Sequence, residues 1–304
     1  MAADKVTLIS FGLAQMRRFV ARLIFALLAG LLLHGCSAVR LGYGNADSLA
    51  RWWIDQYLDL APEQDALVRD RLSRLHAWHR KTQLADYVGL LRQGQTFLAA
   101  PGTADDVQMI TDGVIRRSRT LADKAIPDIA DALTTITAEQ IDHMAARFSD
   151  KNADHAKEIQ LAAGESGQRK TRYKRWLERA EYWFDDLSGE QRAELRRLID
   201  RRPIGSQFWF DERVRRQREW LDLSRQVQRE RPPREKIVQL LRDYAARFDQ
   251  PSDPARRAQA RALRRNEAEL TVAIVALTTP AQREHARHRL DELIRDFTEL
   301  SQEA

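Results

Sequence analysis

The 304-residue chain carries 50 basic against 44 acidic side chains, a formal net charge of +6, together with seven tryptophans and one cysteine. A single cysteine excludes an intrachain disulfide, so stability must come from packing. The basic residues are interleaved with acidic ones along the chain, the pattern of a salt-bridged helical surface and not of a nucleic-acid binder.

The first element is the apolar run Leu23-Ile24-Phe25-Ala26-Leu27-Leu28-Ala29-Gly30-Leu31-Leu32-Leu33, preceded by Arg17, Arg18 and Arg22. A basic stretch, a short apolar run and a small residue before a processing point make the layout of an export signal. The run is short for a bilayer span. Met16-Arg17-Arg18 would begin a signal of normal proportions, so Met1 and Met16 are both candidate starts. The tetrad Leu33-His34-Gly35-Cys36 resembles the bacterial lipobox, whose cysteine takes a diacylglyceryl group and becomes the new N-terminus. The resemblance implies a signal peptide over residues 1–35, lipid attachment at Cys36 and a mature chain 36–304 held to a membrane by acyl chains. Ser37 in place of Asp implies, by likeness to known lipoproteins, an outer-membrane location with the body facing the periplasm. An uncleaved signal anchor and a buried core cysteine are the alternatives. Loss of residues 1–35 removes four basic side chains and one acidic, leaving a net charge of +3.

From there the chain reads as helix throughout. Glycine is scarce, runs of β-branched residues are absent, and good helix formers dominate. Val68, Leu72 and Leu75, followed by Trp78 and His79, make one apolar stripe. Ile237, Leu240, Leu241, Tyr244 and Phe248 make a second, and Leu290, Leu293, Ile294, Phe297 and Leu300 a third. All follow the 3.6-residue period. Pro101-Gly102, Gly164 and Gly167, Pro203-Ile204-Gly205, Pro232-Pro233 and the Pro251–Pro254 stretch separate the helices. Pro127 falls inside a helical pattern and should kink or split it. The expectation is an all-α multi-helix bundle of about ten helices.

Four helix starts share one grammar: Leu60-Ala61-Pro62-Glu63-Gln64, Ile136-Thr137-Ala138-Glu139-Gln140, Leu187-Ser188-Gly189-Glu190-Gln191 and Thr278-Thr279-Pro280-Ala281-Gln282. In the last three, a hydroxyl stands three residues before a glutamine, which is a capping box. Pro62 and Pro280 take the N1 position, where no amide hydrogen is needed. Tyr57-Leu58-Asp59-Leu60 also parallels Phe184-Asp185-Asp186-Leu187. The recurrence points to an internal duplication with sub-units over 45–163 and 166–304; convergence of good caps is the alternative.

These starts are similar to the L-T-x-x-Q motif of periplasmic stress chaperones, with Ala61 and Ser188 in place of threonine and Ile136 and Thr278 in place of leucine. A longer likeness runs from the lipobox through Arg40-Leu41-Gly42-Tyr43-Gly44-Asn45-Ala46-Asp47 and Trp52-Trp53-Ile54-Asp55-Gln56-Tyr57-Leu58-Asp59-Leu60. It resembles a family of proteobacterial lipoproteins of unknown function, and so implies a location and a fold class but no activity.

No arrangement of residues points to catalysis. There is no G-x-S-x-G, no phosphate-cradling glycine loop and no thiol beyond Cys36. Asp105-Asp106 and Asp185-Asp186 are adjacent acids that diverge by roughly 100 degrees on a helix. The protein is therefore expected not to be an enzyme, with no catalytic residues and no cofactor. His76 with His79 and His285 with His288 are H-x-x-H pairs that could each present two imidazoles. Because the two pairs face differently relative to their stripes, no metal site is expected; His143 and His155 stand alone. The aromatics Trp52, Trp53, Tyr57, Tyr173, Trp176, Tyr182, Trp183 and Phe184 are expected to form core, a groove for apolar clients being the alternative. Arg213, Arg215, Arg216 and Arg218 read as a solvated face. The function expected is a lipid-anchored, non-enzymatic binding or chaperone-like envelope protein. A partner-docking scaffold and a histidine-based metal sensor are the alternatives. Its partners would be the membrane and an envelope protein or unfolded client, not nucleic acid.

Overall fold

The helix-forming composition is realised throughout the computed structural model, which describes residues 38–100, 102–248 and 251–303. The expected signal segment, residues 1–35, and Cys36 lie outside the described residues. A short helix, Ala38–Gly44, belongs to a first unit, Met1–Asn45, where Asn45 Nδ2 donates to the Leu41 carbonyl at 2.8 Å.

The second unit, Ala46–Ala304, is an all-α bundle with no strand among the described residues. Its helices are α1 (Ala46–Leu58), α2 (Pro62–Thr82), α3 (Leu84–Ala99), α4 (Ala104–Leu133), α5 (Ala138–Glu158), α6 (Gly164–Phe184), α7 (Gly189–Asp200), α8 (Ser206–Glu230), α9 (Arg234–Phe248), α10 (Pro254–Leu277) and α11 (Pro280–Gln302). A single 3₁₀ turn, Leu161–Ala163, links α5 to α6, and the joint needs Gly164 because its φ is +65°. Pro127 does not split its helix. α4 runs unbroken for 30 residues, about 45 Å, and Arg234 Nη2 donates to the Pro127 carbonyl at 3.3 Å. At Gly113 a Cβ would lie 2.7 Å from Leu90 Cδ1, so any larger residue there would have to displace that side chain where α3 approaches α4.

Two apolar cores form, and each half of the sequence lends helices to the other's core. One core gathers Phe184, Leu187, Leu195, Ile199, Leu270 and Ile274 with Leu290, and takes in Leu98 from α3. The other gathers Ile126, Ala130, Leu133, Ile136 and Ile141, and takes in Leu223, Val227, Ile237 and Leu241 from α8 and α9. The stripe on α9 is therefore buried as its spacing predicts, except that Phe248 at its end remains 47% exposed.

The four similar helix starts meet in two pairs. Gln64 Nε2 donates to Gln140 Oε1 (3.1 Å) while Gln140 Nε2 donates to Gln64 Oε1 (2.6 Å). Gln191 Nε2 and Gln282 Oε1 (2.8 Å), with Gln282 Nε2 and Gln191 Oε1 (3.2 Å), repeat the arrangement. In each pair the amide nitrogen also reaches the carbonyl two residues before the opposite N-cap: Gln64 to Thr135, Gln191 to Leu277, Gln140 to Asp59 and Gln282 to Asp186. The same glutamines accept from the N-cap amides of their own helices, at Ala61, Thr137, Ser188 and Thr279. Thr137, Ser188 and Thr279 return the bond to the N3 amide, as expected; Ala61 has no side-chain acceptor to do so. Each glutamine thus caps its own helix and clasps a second helix to it.

Candidate functional site

The histidines expected to stay apart do so for a geometric reason. His79 lies half-buried against Tyr87, ring centroids 5.4 Å apart, and Tyr87 meets Phe297 near the C-terminal end of α11. His285 and His288 lie toward the N-terminal end of that same helix, about 18 and 14 Å from Phe297 along its axis. His285 Nε2 accepts from Arg289 Nε at 3.1 Å, and His288 approaches Glu292 at 3.5 Å. Among the described residues no group of three or more His, Cys, Asp or Glu converges as a metal site.

The aromatic set divides instead of forming one core. Phe184 is buried, and Tyr173, Trp176 and Trp183 pack against the same cluster. Trp52, Trp53 and Tyr182 are exposed by 58%, 56% and 52%. The reading of all eight as core is therefore corrected: α1 packs through its C-terminal end, where Tyr57 meets Phe148 and Leu58 joins the second core, while Trp52 and Trp53 nearer its N-terminus stay exposed. The arginine run on α8 is a solvated face only at Arg218; Arg213, Arg215 and Arg216 are half-buried. Glu212 is buried, and Arg215 and Arg256 both reach it, at 2.9 and 2.7 Å. Burial pushes the Glu212 carboxyl up, but the hydrogen bonds from those two guanidiniums outweigh it and hold the group below the ordinary glutamate range. Arg213 donates to Asn152, and Arg216 lies 4.6 Å over the Phe248 ring. Burial among Trp220 and Phe248 pushes the Tyr244 hydroxyl up to about 12.

Among the described residues, open cavities large enough for a ligand include the following two. A space of about 540 Å³ sits over the first glutamine clasp, bordered by Asp59, Glu63, Glu139 and His143. Its amides are consumed by the clasp itself, and its rim is acidic. The second, about 590 Å³, lies between the N-terminal half of α4, the middle of α6 and α10. It is lined by Arg179, Arg257, Arg261 and Arg264, with Trp176 as an apolar wall and Thr111 and Gln108 opposite. Two acids also line it. Glu267 accepts from Arg172 at 2.6 Å, while Asp112 tempers the positive field from the α4 side.

This groove follows from local sequence. Arg257, Arg261 and Arg264 fall at i, i+4 and i+7, so α10 presents them on one face. The other face of α10 is anchored by Leu270 and Ile274 in the core. Arg257 Nη1 donates to the Pro251 carbonyl at 2.9 Å, which steadies the head of the stripe. Arg179 lies 4.8 Å over the Trp176 ring and Arg264 lies 5.8 Å from the Trp209 ring. A guanidinium grips a planar anion through its fork of N–H donors. A volume in the range of small-molecule sites, walled by a tryptophan and four arginines, suits carboxylate or phosphate recognition. This stripe is not among the features read from the sequence above, although its i, i+4, i+7 spacing is a signal that could find it.

An all-α bundle closed by paired glutamine caps and carrying an arginine-lined groove defines the class of protein. The chain belongs to the family of unknown function DUF6279, which is matched over residues 56–250. That span includes the first clasp, Ser188, Gln191, Trp176 and Arg179, and ends before α10. Comparison with curated proteins and with solved structures returns no match. No helix among the described residues is long and apolar enough to cross a membrane.

Proposed function

We propose that the protein is a lipid-anchored, periplasm-facing envelope protein that binds an acidic partner in its arginine-lined groove without transforming it. The convergence of Arg179, Arg257, Arg261 and Arg264 beside Trp176 carries the reading. Guanidinium forks give directional grip on carboxylates, and the tryptophan wall favours a partner with some apolar character. The lipobox-like Leu33-His34-Gly35-Cys36 supports anchoring and export, and Ser37 supports the outer membrane as the destination. A partner-docking role fits this chemistry better than capture of unfolded chains, since most of the clustered aromatics near the groove are committed to a core.

The full chain in detergent, titrated with a polyglutamate peptide and read by tryptophan fluorescence, tests the groove. Saturable, salt-sensitive binding that weakens at least tenfold in Arg257→Ala/Arg261→Ala, and not in Arg218→Ala, is the expected result. Binding insensitive to both changes, or none at all, would refute the reading. Metabolic labelling with a fatty-acid probe tests the anchor separately: wild type should be marked and Cys36→Ala should not.

A further inference from the structure

The outward face of α1 is the one strip on the described surface where large apolar side chains gather at helical spacing. Leu49, Trp52 and Trp53, at i, i+3 and i+4, are each more than half exposed. The other large exposed apolar groups of the bundle are scattered, and two of them lie under guanidinium groups: Tyr182 beneath Arg289 and Phe248 beneath Arg216.

The strip is held rigidly. Trp53 meets Tyr57 with ring centroids 4.7 Å apart, and Tyr57 meets Phe148 of α5 at 5.4 Å, both pairs tilted. Arg51 pairs with Asp65 at 2.5 Å, and Arg147 Nε donates to the Gln56 carbonyl at 3.1 Å. The contacts to α2 and α5 orient α1 with Trp52 and Trp53 outward. Exposing two indoles in this way costs hydrophobic free energy that only an apolar environment with a polar boundary can return.

Chain position indicates which environment that is. Leu49 follows Cys36 by thirteen residues, seven of which form the helix Ala38–Gly44. That path spans about 30 Å at most, taking 1.5 Å per helical residue and about 3.5 Å per extended one. A chain acylated at Cys36 therefore keeps this face within reach of the headgroup layer at all times. Tryptophan is the side chain that most favours that layer, with its ring among the acyl carbons and its N–H toward water.

We infer that the Leu49/Trp52/Trp53 face of α1 seats on the surface of the lipid bilayer, as a second attachment beside the acyl chains. This inference rests on the proposed acylation of Cys36. The two attachments together would hold the bundle in one orientation, where an acyl tether alone would let it swing.

The test uses the full-length chain purified from envelopes and mixed with phosphatidylethanolamine–phosphatidylglycerol vesicles carrying brominated acyl chains, which quench indoles lying among them. Two of the seven tryptophans should account for most of the quenching. Trp52→Phe/Trp53→Phe should therefore lose most of it while still floating with the vesicles, and Trp176→Phe/Trp183→Phe should keep it. Phenylalanine preserves the apolar face, so neither outcome depends on unfolding. A fatty-acid-labelled chain whose quenching is unaffected by Trp52→Phe/Trp53→Phe would overturn the membrane face while leaving the anchor intact. Loss of the fatty-acid label with retained Trp52- and Trp53-dependent quenching would overturn the anchor alone. Concentration-dependent shielding of the two indoles without lipid would assign the face to a second copy of the chain and overturn the proposal.

Discussion

Replacing Gln140 by alanine tests whether the glutamine clasps hold the bundle together. Gln140 is buried and makes four hydrogen bonds: it accepts from the Thr137 amide and Gln64, and donates to Asp59 and Gln64. At about 1 kcal/mol net each, with some recovery by water at the half-exposed Gln64, the loss should be about 3 kcal/mol. For a unit of this size that corresponds to a fall of roughly 6–12 °C in Tm. A double-mutant cycle separates the clasp from simple capping. Gln64→Ala and Gln140→Ala should couple by about 1–1.5 kcal/mol, as should Gln191→Ala and Gln282→Ala. Gln140→Ala and Gln282→Ala share no hydrogen-bond partner and should add within about 0.5 kcal/mol. Urea unfolding followed by far-UV circular dichroism supplies each term. Coupling below about 0.5 kcal/mol within both pairs would refute the clasp and reduce the motif to four independent caps.

Two further expectations concern single positions. Ala61 already has the extended backbone of an N-cap (φ −62°, ψ 155°) but lacks an acceptor, so Ala61→Thr should raise stability by about 0.5–1 kcal/mol in the same urea assay; an unchanged midpoint would show that the first start is constrained otherwise. Glu212 contributes stability that is fully present above its unfolded-state pKa and is lost as pH falls through its depressed folded value. Glu212→Gln should cost about 3 kcal/mol at pH 7, and the gap to wild type should stay level down to pH 5 and close below pH 4; a gap independent of pH would show that the ion pairs with Arg215 and Arg256 are not its source.

The helices were readable because their signals are local. Apolar periodicity in α9 and α11 and the hydroxyl–glutamine spacing at Thr137, Ser188 and Thr279 depend on neighbours a turn or two away. The pairing of the starts was not readable, since nothing near Gln64 in sequence indicates that its amide meets Gln140 and not Gln191 or Gln282. The exchange of helices between cores was hidden for the same reason: Leu98 and Leu223 look like any core leucine until the partner helix is known. Trp52 and Trp53 misled because composition counts an indole as core material. Whether it is buried depends on which part of α1 finds a neighbour, and that part is its C-terminal end, at Tyr57 and Leu58. The groove was visible as an i, i+4, i+7 arginine stripe, but what faces it on α4 and α6 is a tertiary fact.

The packing of α11 against α3 sets a condition on how the chain can fold. Gln95 Nε2 meets Asp291 Oδ1 at 2.6 Å, a contact between residues 196 positions apart. One of the two cores takes Ala286 and Leu290 from the final helix, and the second clasp needs Gln282. Until Pro280–Gln302 arrives, the core that holds Leu98 lacks Ala286 and Leu290, and Gln191 lacks the amide of Gln282. A chain emerging N-terminus first would carry an unfinished core through most of its appearance, and closure would be a single late event of high contact order. Nicking anywhere in the Thr278–Thr279 turn should accordingly unseat elements from both ends of the sequence together, so that the molecule resists proteolysis as a whole or not at all.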